Sequence, residues 1–300
     1  MIAELTRWAL FLFLGTPLGA PAGAEEAASE TSPAEITASA EAMCTGVFKQ
    51  GGLIICDGTP GTAVRIGGVT LTTGKDGTAQ FGISRSASLT LGWESASQAS
   101  DIEITARKDQ ATEINGIPCD KIDARTPEQK AHAARSWEKK QAGWASFNDG
   151  RGALDGFIKP SEGRTSSPFG FARSYVTVGC DTTTKVHWGY DIAAPTGTPI
   201  IAPAAGTVTL AEDDLYYEGG TIFLDHGHGL MSIFLHMSEV GAKVGDVVEA
   251  GDLIGKIGAT GRVTGPHLHW AVKWRDISRN DRKGDFYIDP ALLLELPRSD

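Results

Sequence analysis

Two histidines separated by one residue, His267 and His269, stand in the run Thr264-Gly-Pro-His-Leu-His-Trp-Ala-Val-Lys-Trp274. Side chains of an extended strand alternate between its faces. His267, His269, Ala271 and Lys273 therefore share one face, and Leu268, Trp270, Val272 and Trp274 the other. The apolar set reads as the core face, so both imidazoles point together away from the core. Upstream, His187 and Asp191 lie four residues apart in His-Trp-Gly-Tyr-Asp. Imidazole and carboxylate are both zinc ligands, and three protein ligands plus a water form the open coordination of a catalytic zinc. A helix would align this pair, but Gly189, Tyr190 and the following Ile-Ala-Ala-Pro predict an extended or bulged segment, so the fold has to bring them together. In Gly229-Leu-Met-Ser-Ile-Phe-Leu-His-Met-Ser238, Met231, Ile233 and Leu235 read as the core face. That places His236 on the opposite one, where it can meet His267 and His269 from a neighbouring strand.

Other candidates carry blander readings. His226 and His228 form a second His-x-His, but the interleaved Gly227 and Gly229 predict a hairpin turn, with surface or turn roles for both and Asp225 capping the turn. His132 falls on a predicted helix and is expected to be solvated. Glycines 251, 255, 258, 261 and 265 lack the strand-to-helix transition and lysine of a phosphate loop. They predict tight β turns, with residues 258–266 forming the loop that delivers His267. Asp213 and Asp214 read as a solvated loop, and Tyr216 and Tyr217 either line a groove or are merely exposed. No His-Glu-x-x-His occurs, so a glutamate base of that kind is not indicated.

The elements that must position these residues are mostly strands. From residue 43 to about 118, β-branched runs separated by glycine turns predict a small antiparallel β domain of sandwich type. Thr126-Pro127-Glu128 has the pattern of an N-cap followed by proline at the first helical position, and the helix is expected to reach about Trp144. From Gly152 onward, short apolar strands and tight turns predict a second all-β domain. The expected division is a signal peptide at 1–24, a disordered leader at 25–42, an accessory β domain at 43–120, a helical linker at 121–150 and a catalytic domain at 151–300. Trp8 to Leu14 is well short of the roughly 20 apolar residues of a membrane span. With Ala22 and Ala24 it reads as a secretory signal cut after Ala24, leaving a mature protein with no membrane span, periplasmic or secreted. Four cysteines suit an oxidising compartment. Of the three pairings they permit, Cys44 with Cys56 is preferred because both flank one short apolar segment, leaving Cys119 with Cys180. A net charge of −10 gives no electrostatic basis for gripping nucleic acid.

His-Trp-Gly-Tyr-Asp, Phe-Leu-His-Met-Ser and Thr-Gly-Pro-His-Leu-His-Trp together resemble the His-x-x-x-Asp, single-histidine and His-x-His series of the M23, or lysostaphin-type (LytM-like), zinc metallopeptidases. Flanking segments fit the same pattern: Ser-Ser-Pro-Phe-Gly-Phe-Ala-Arg-Ser before the first motif, Gly-Thr-Pro-Ile-Ile-Ala-Pro-Ala-Ala-Gly-Thr-Val after it, and Asp289-Pro290. The resemblance covers roughly residues 152–295 and, more loosely, links 43–118 to the β-rich amino-terminal region of some bacterial envelope members. It implies a mainly β fold with an antiparallel LytM-like catalytic sheet. It implies Zn2+ held by His187, Asp191 and His269, with His236 and His267 as catalytic histidines. The implied substrate is the stem peptide of bacterial peptidoglycan and the implied activity D,D-endopeptidase. An envelope protein as regulator is a further expected partner. Trp188 and Met237 occupy positions where the family varies, and the tryptophan after His269 stands where phenylalanine is common in it, which bears on specificity. The alternative is a non-catalytic wall-binding or hydrolase-activating protein of the same fold; such relatives typically lack part of the ligand set, whereas all five positions are filled here.

Overall fold

Glycine turns and β-branched runs set the architecture from the first described strand. The computed structural model describes residues 44–118, 126–178, 181–279 and 281–298. The expected signal peptide and leader, and Cys119 and Cys180 with their expected pairing, lie outside those residues. The strands Cys44–Gly46, Leu53–Asp57 and Thr78–Gly82 form one antiparallel sheet, and Val69–Thr72, Ala63–Ile66, Thr90–Glu94 and Ala99–Glu103 a second, in that order across it. Residues 63–66 alternate exposed and buried, as a half-covered strand must. Their hairpin turns on Gly67 and Gly68, at φ 56° and 86°, which is the two-residue turn that only paired left-handed residues close without splaying the strands. Cys44 lies opposite Cys56 in register and forms a disulfide with it.

The helix Pro127–Gly143 begins at the expected cap, where the Thr126 hydroxyl accepts from Gln129 N–H while the Gln129 side chain accepts from the Thr126 backbone. It packs over the strand Gly206–Leu215 and hands the chain to Trp144. Among the described residues the largest sheet has ten strands. Its centre is formed by Gly219–Gly227, Leu230–Val240 and Leu268–Trp274, followed by Tyr190–Ala193 and Arg164–Ser167 at one edge. One face of the central strands buries Leu268, Trp270, Val272 and Trp274 in the main core. The opposite face is not simply open to water: Met231, Ile233, Ala271 and Phe223 form a second cluster with Trp144, whose ring stacks on Phe223 at 5.6 Å.

The first two sheets sit directly on this core. Phe81 meets Trp274 edge-on at 5.0 Å, and Trp274 Nε1–H donates to Gln80 O. The Gln80 amide donates to Arg151 O and accepts from Ala153 N–H. The strand Ala111–Pro118 pairs in parallel with Ala172–Val178, itself antiparallel to Thr183–Val186. No helix among the described residues is long and apolar enough to cross a membrane.

Candidate metal centre

Register brings the separate motifs together. Asp191 lies opposite His269 where Tyr190–Ala193 pairs with Leu268–Trp274. His187 ends the segment leading into the former strand, and its Nδ1–H donates to Pro168 O at 2.9 Å, with Ser167 Oγ at 3.2 Å. A carbonyl can only accept, so this bond fixes the tautomer and leaves the Nε2 lone pair facing inward. His187 Nε2 is 3.0 Å from Asp191 Oδ1 and 3.1 Å from His269 Nδ1, and His269 Nδ1 is 2.9 Å from the same carboxylate oxygen. Ligands 2.0–2.1 Å from a tetrahedral cation are about 3.3 Å from one another. Three donor atoms of zinc-binding type thus stand almost at the edge length such an ion imposes, and they are the group among the described residues that could hold a metal. Burial alone would push the Asp191 carboxyl up, but the two imidazoles of His187 and His269 held against it keep it well below the usual carboxylate range. Burial pushes the His269 imidazole down despite Asp191.

Gly189 explains the spacing inside His-Trp-Gly-Tyr-Asp. A Cβ at that position would lie 2.5 Å from His269 Cε1 and Nε2, so the backbone itself forms the wall against which the ring rests.

His236 reaches the site by a route that alternation does not predict. Leu235, not His236, lies opposite His269, and Phe234 lies opposite Trp270. Met231 and Ile233 accordingly share the face of His269, the reverse of the expected arrangement. Strict period two would send His236 to the Trp270 side. At His236, however, the strand Leu230–Val240 changes partner: pairing with Leu268–Trp274 ends at Leu235, and pairing with Leu253–Ile257 begins at Met237. The backbone there is left-handed, φ 67°, and this bulge returns the imidazole to the groove. Its Nδ1–H donates to Thr260 O at 3.0 Å, and its ring centroid is 4.9 Å from His267. Thr260 also ties the joint with its side chain, donating to Met237 O and accepting from Gly220 N–H. His267 Nδ1–H donates to Gly265 O at 2.8 Å, and its Nε2 stands 3.9 Å from Asp191 Oδ1. Burial, and then the neighbouring His269 and His267, lower the His236 pKa to about 4.

All five expected site residues therefore line one groove. The other His-x-His requires a correction. His226 is 1% exposed inside a strand, not on a turn. Its Nδ1–H donates to Ala205 O, and Nε2 accepts from Ser232 Oγ–H, which in turn accepts from Trp270 Nε1–H. The interleaved Gly227 and Gly229 suggested a hairpin over both histidines, but the turn is at His228 and Gly229, two residues past His226. His228 does lie at that turn, φ 50°, with its ring bonded to Asp76. Asp225 caps it as expected, accepting from Gly227 N–H. The positioning roles of Thr260 and Gly189 had no sequence signal beyond belonging to the loop and motif that carry the histidines.

The family model described as Peptidase family M23 matches residues 185–282. A crystal structure of a peptidase M23 from Pseudomonas aeruginosa is 30% identical, with a TM-score of 0.57, and the match covers 82% of this chain and 95% of that one. The chain belongs to peptidase family M23. Among curated relatives, this M23 chain is 37% identical over 110 residues to the DD-carboxypeptidase/endopeptidase Mpg of Neisseria meningitidis, covering 37% of this chain and 24% of Mpg. It is 36% identical over 119 residues to the peptidoglycan DD-endopeptidase ShyC of Vibrio cholerae, covering 40% of this chain and 27% of ShyC. The matched region thus spans about a quarter of the length of those two relatives.

Proposed function

We propose that this M23 chain is a zinc-dependent endopeptidase that hydrolyses peptide cross-links of bacterial peptidoglycan, and that the bond cut is the D,D-peptide bond between stem peptides. The observation that carries the reading is the meeting of His187 Nε2, Asp191 Oδ1 and His269 Nδ1 at 2.9–3.1 Å in a groove shared with two further imidazoles. The names of the matched relatives support the substrate class.

In this reading His187, Asp191 and His269 hold the zinc. A zinc ion there would supply Lewis acidity, lowering the pKa of a coordinated water toward roughly 7 and polarising the scissile carbonyl. The remaining chemistry belongs to His236 and His267. Each has its Nδ1–H committed to a backbone carbonyl, so each offers Nε2 to the groove with a fixed tautomer and orientation. His236, with a pKa of about 4, is neutral at pH 7 and can accept a proton from the attacking water and pass it to the leaving amine. His267, whose Nε2 is likewise an acceptor in that tautomer, is placed to align the water by accepting from it, and can donate to the developing oxyanion once that nitrogen has taken up a proton. The cleaved signal, the envelope location, the accessory role of residues 43–120, the linker at 121–150, the catalytic domain at 151–300 and an envelope regulator belong to the same proposal.

The test is digestion of purified cross-linked muropeptide dimers by the zinc-loaded full chain, read by mass analysis of the products alongside the zinc content of the protein. Dimers should become monomers, and His267→Ala should stop this without changing the circular dichroism spectrum. Intact dimers at every zinc loading would rule the proposal out.

A further inference from the structure

The groove has a cavity of about 590 Å³, and its two lining arginines have no part in the chemistry above. Arg173 enters from the strand Ala172–Val178. Its Nη2 lies 3.4 Å from Ser167 Oγ, which is itself 3.2 Å from His187 Nδ1, so the guanidinium stands one hydroxyl away from the candidate metal centre. Arg262 enters from the loop that delivers His267, its guanidinium 5.8 Å from the Tyr217 ring centre and its backbone N–H bonded to Tyr217 O. The first anchors beside the strand of Ser167 and the second beside the strand of His236. These strands are three places apart in the sheet, or about 14 Å at the usual strand spacing. The two cations therefore come from the two sides of the His187–Asp191–His269 group.

Neither guanidinium is neutralised by a carboxylate among the described residues. Arg85, Arg107, Arg151 and Arg279 each have a carboxylate within 3 Å. Among the described residues Arg173 and Arg262 have none. The groove does not supply one either: Asp191 is its sole lining carboxylate, and it is turned to the imidazoles. More positive charge stands on the same side. Lys185 lies directly opposite Arg173 in the ladder, and Arg164 directly opposite Ala193, a groove-lining residue. Residues directly opposite share a face, and like charges so placed cost stability. A chain of net charge −10 thus places in this groove two arginines with no carboxylate partner among the described residues, and two further cations on the strands that flank it, an arrangement that suits an anionic occupant.

We propose that the groove selects peptides carrying free carboxylates close to the amide to be cut, with Arg173 and Arg262 as the specificity-determining residues and Lys185 and Arg164 adding longer-range attraction. This rests on the peptidase reading and names which feature of the substrate the chain's own side chains recognise. Guanidinium groups suit it because their forked donors match a carboxylate with two parallel bonds.

Two probes decide the matter: a cross-linked stem-peptide dimer with its carboxylates free, and the same dimer with them converted to primary amides. Binding is measured by calorimetry on the full-length His267→Ala protein, and cleavage on the zinc-loaded wild type. A charge-assisted hydrogen bond gives roughly a ten- to hundredfold preference. The free acid should therefore bind, and be cleaved by kcat/KM, at least tenfold better than the amide, with the gap shrinking as salt rises. Arg173→Gln and Arg262→Gln should each weaken the acid severalfold more than the amide. The double variant should close the gap, and Arg→Lys at either site should keep part of it. Equal binding of acid and amide by the otherwise unaltered groove, a comparison that needs no arginine variant to fold, would overturn the proposal. So would a double variant that keeps the preference. If neither probe is cleaved while the binding preference holds, the peptidase reading fails and the selection of carboxylates by the two arginines stands without it.

Discussion

His226 should make the fold acid-sensitive in a way that can be isolated. Its imidazole is enclosed between Ala205 O and Ser232 Oγ, and burial lowers its pKa from 6.5 to about 4. In the unfolded chain the same ring takes a proton near pH 6.5, so between about pH 6.5 and 4 the unfolded state binds more protons than the folded one. Stability therefore rises with pH through that window and is lost as pH falls through it. At 1.36 kcal/mol per pKa unit, the shift corresponds to about 3 kcal/mol lost between pH 7.5 and pH 4, a large part of a typical domain's 5–15 kcal/mol. Asp225 and Asp289, whose carboxyls burial pushes up, act in the opposite sense, while His236 acts in the same one. All three remain in a His226→Gln variant, which keeps a donor for Ala205 O and an acceptor for Ser232 but removes the titration. Urea unfolding of both proteins, metal-free in EDTA and with the disulfide intact, should be measured at intervals from pH 7.5 to 4. The wild type should lose about 3 kcal/mol more than the variant. Parallel curves for the two proteins would refute the assignment of a neutral buried imidazole.

Three other outcomes follow from contacts described above. Gly189→Ala forces a methyl to within 2.5 Å of the His269 ring, and competition against a chelator should show zinc affinity reduced ten- to a hundredfold with far-ultraviolet circular dichroism retained. Thr260→Val removes both side-chain bonds that hold the His236 joint, so kcat should fall at least tenfold with KM little changed, and Thr260→Ser should restore most of it. Replacing Cys44 and Cys56 together by alanine opens a crosslink 12 residues apart in sequence and should cost about 3 kcal/mol by chain-entropy reasoning, read as a lower urea midpoint.

Much of the site was legible because it is written in local periodicity. Alternation through His267–Trp274 placed the imidazoles away from Trp270 and Trp274, and the Thr126-Pro127 cap located the helix to within a residue of its observed end. The failures have a common cause in non-local geometry. Face assignment for Met231, Ile233 and Leu235 went the wrong way because Trp144, distant in sequence, covers what would otherwise be the wet side of those strands. His236 then reached the groove only through a change of strand partner that no window of residues around it reveals. Glycine content around His226 spoke for a turn, whereas the burial of that ring depends on Ala205 and Ser232 closing around it. The parallel pairing of Ala111–Pro118 with Ala172–Val178 joins segments some sixty residues apart, beyond the reach of pattern reading.

The left-handed residue at 236 carries a tension between endurance and chemistry. A β-carbon in that region of backbone space costs roughly 1 kcal/mol that glycine does not incur. A library of this chain sorted only for resistance to heat or protease should therefore drift to glycine or asparagine there and lose turnover, while one sorted for turnover should hold the imidazole. The fork in the sheet is thus a spot where sturdier and useful sequences part company.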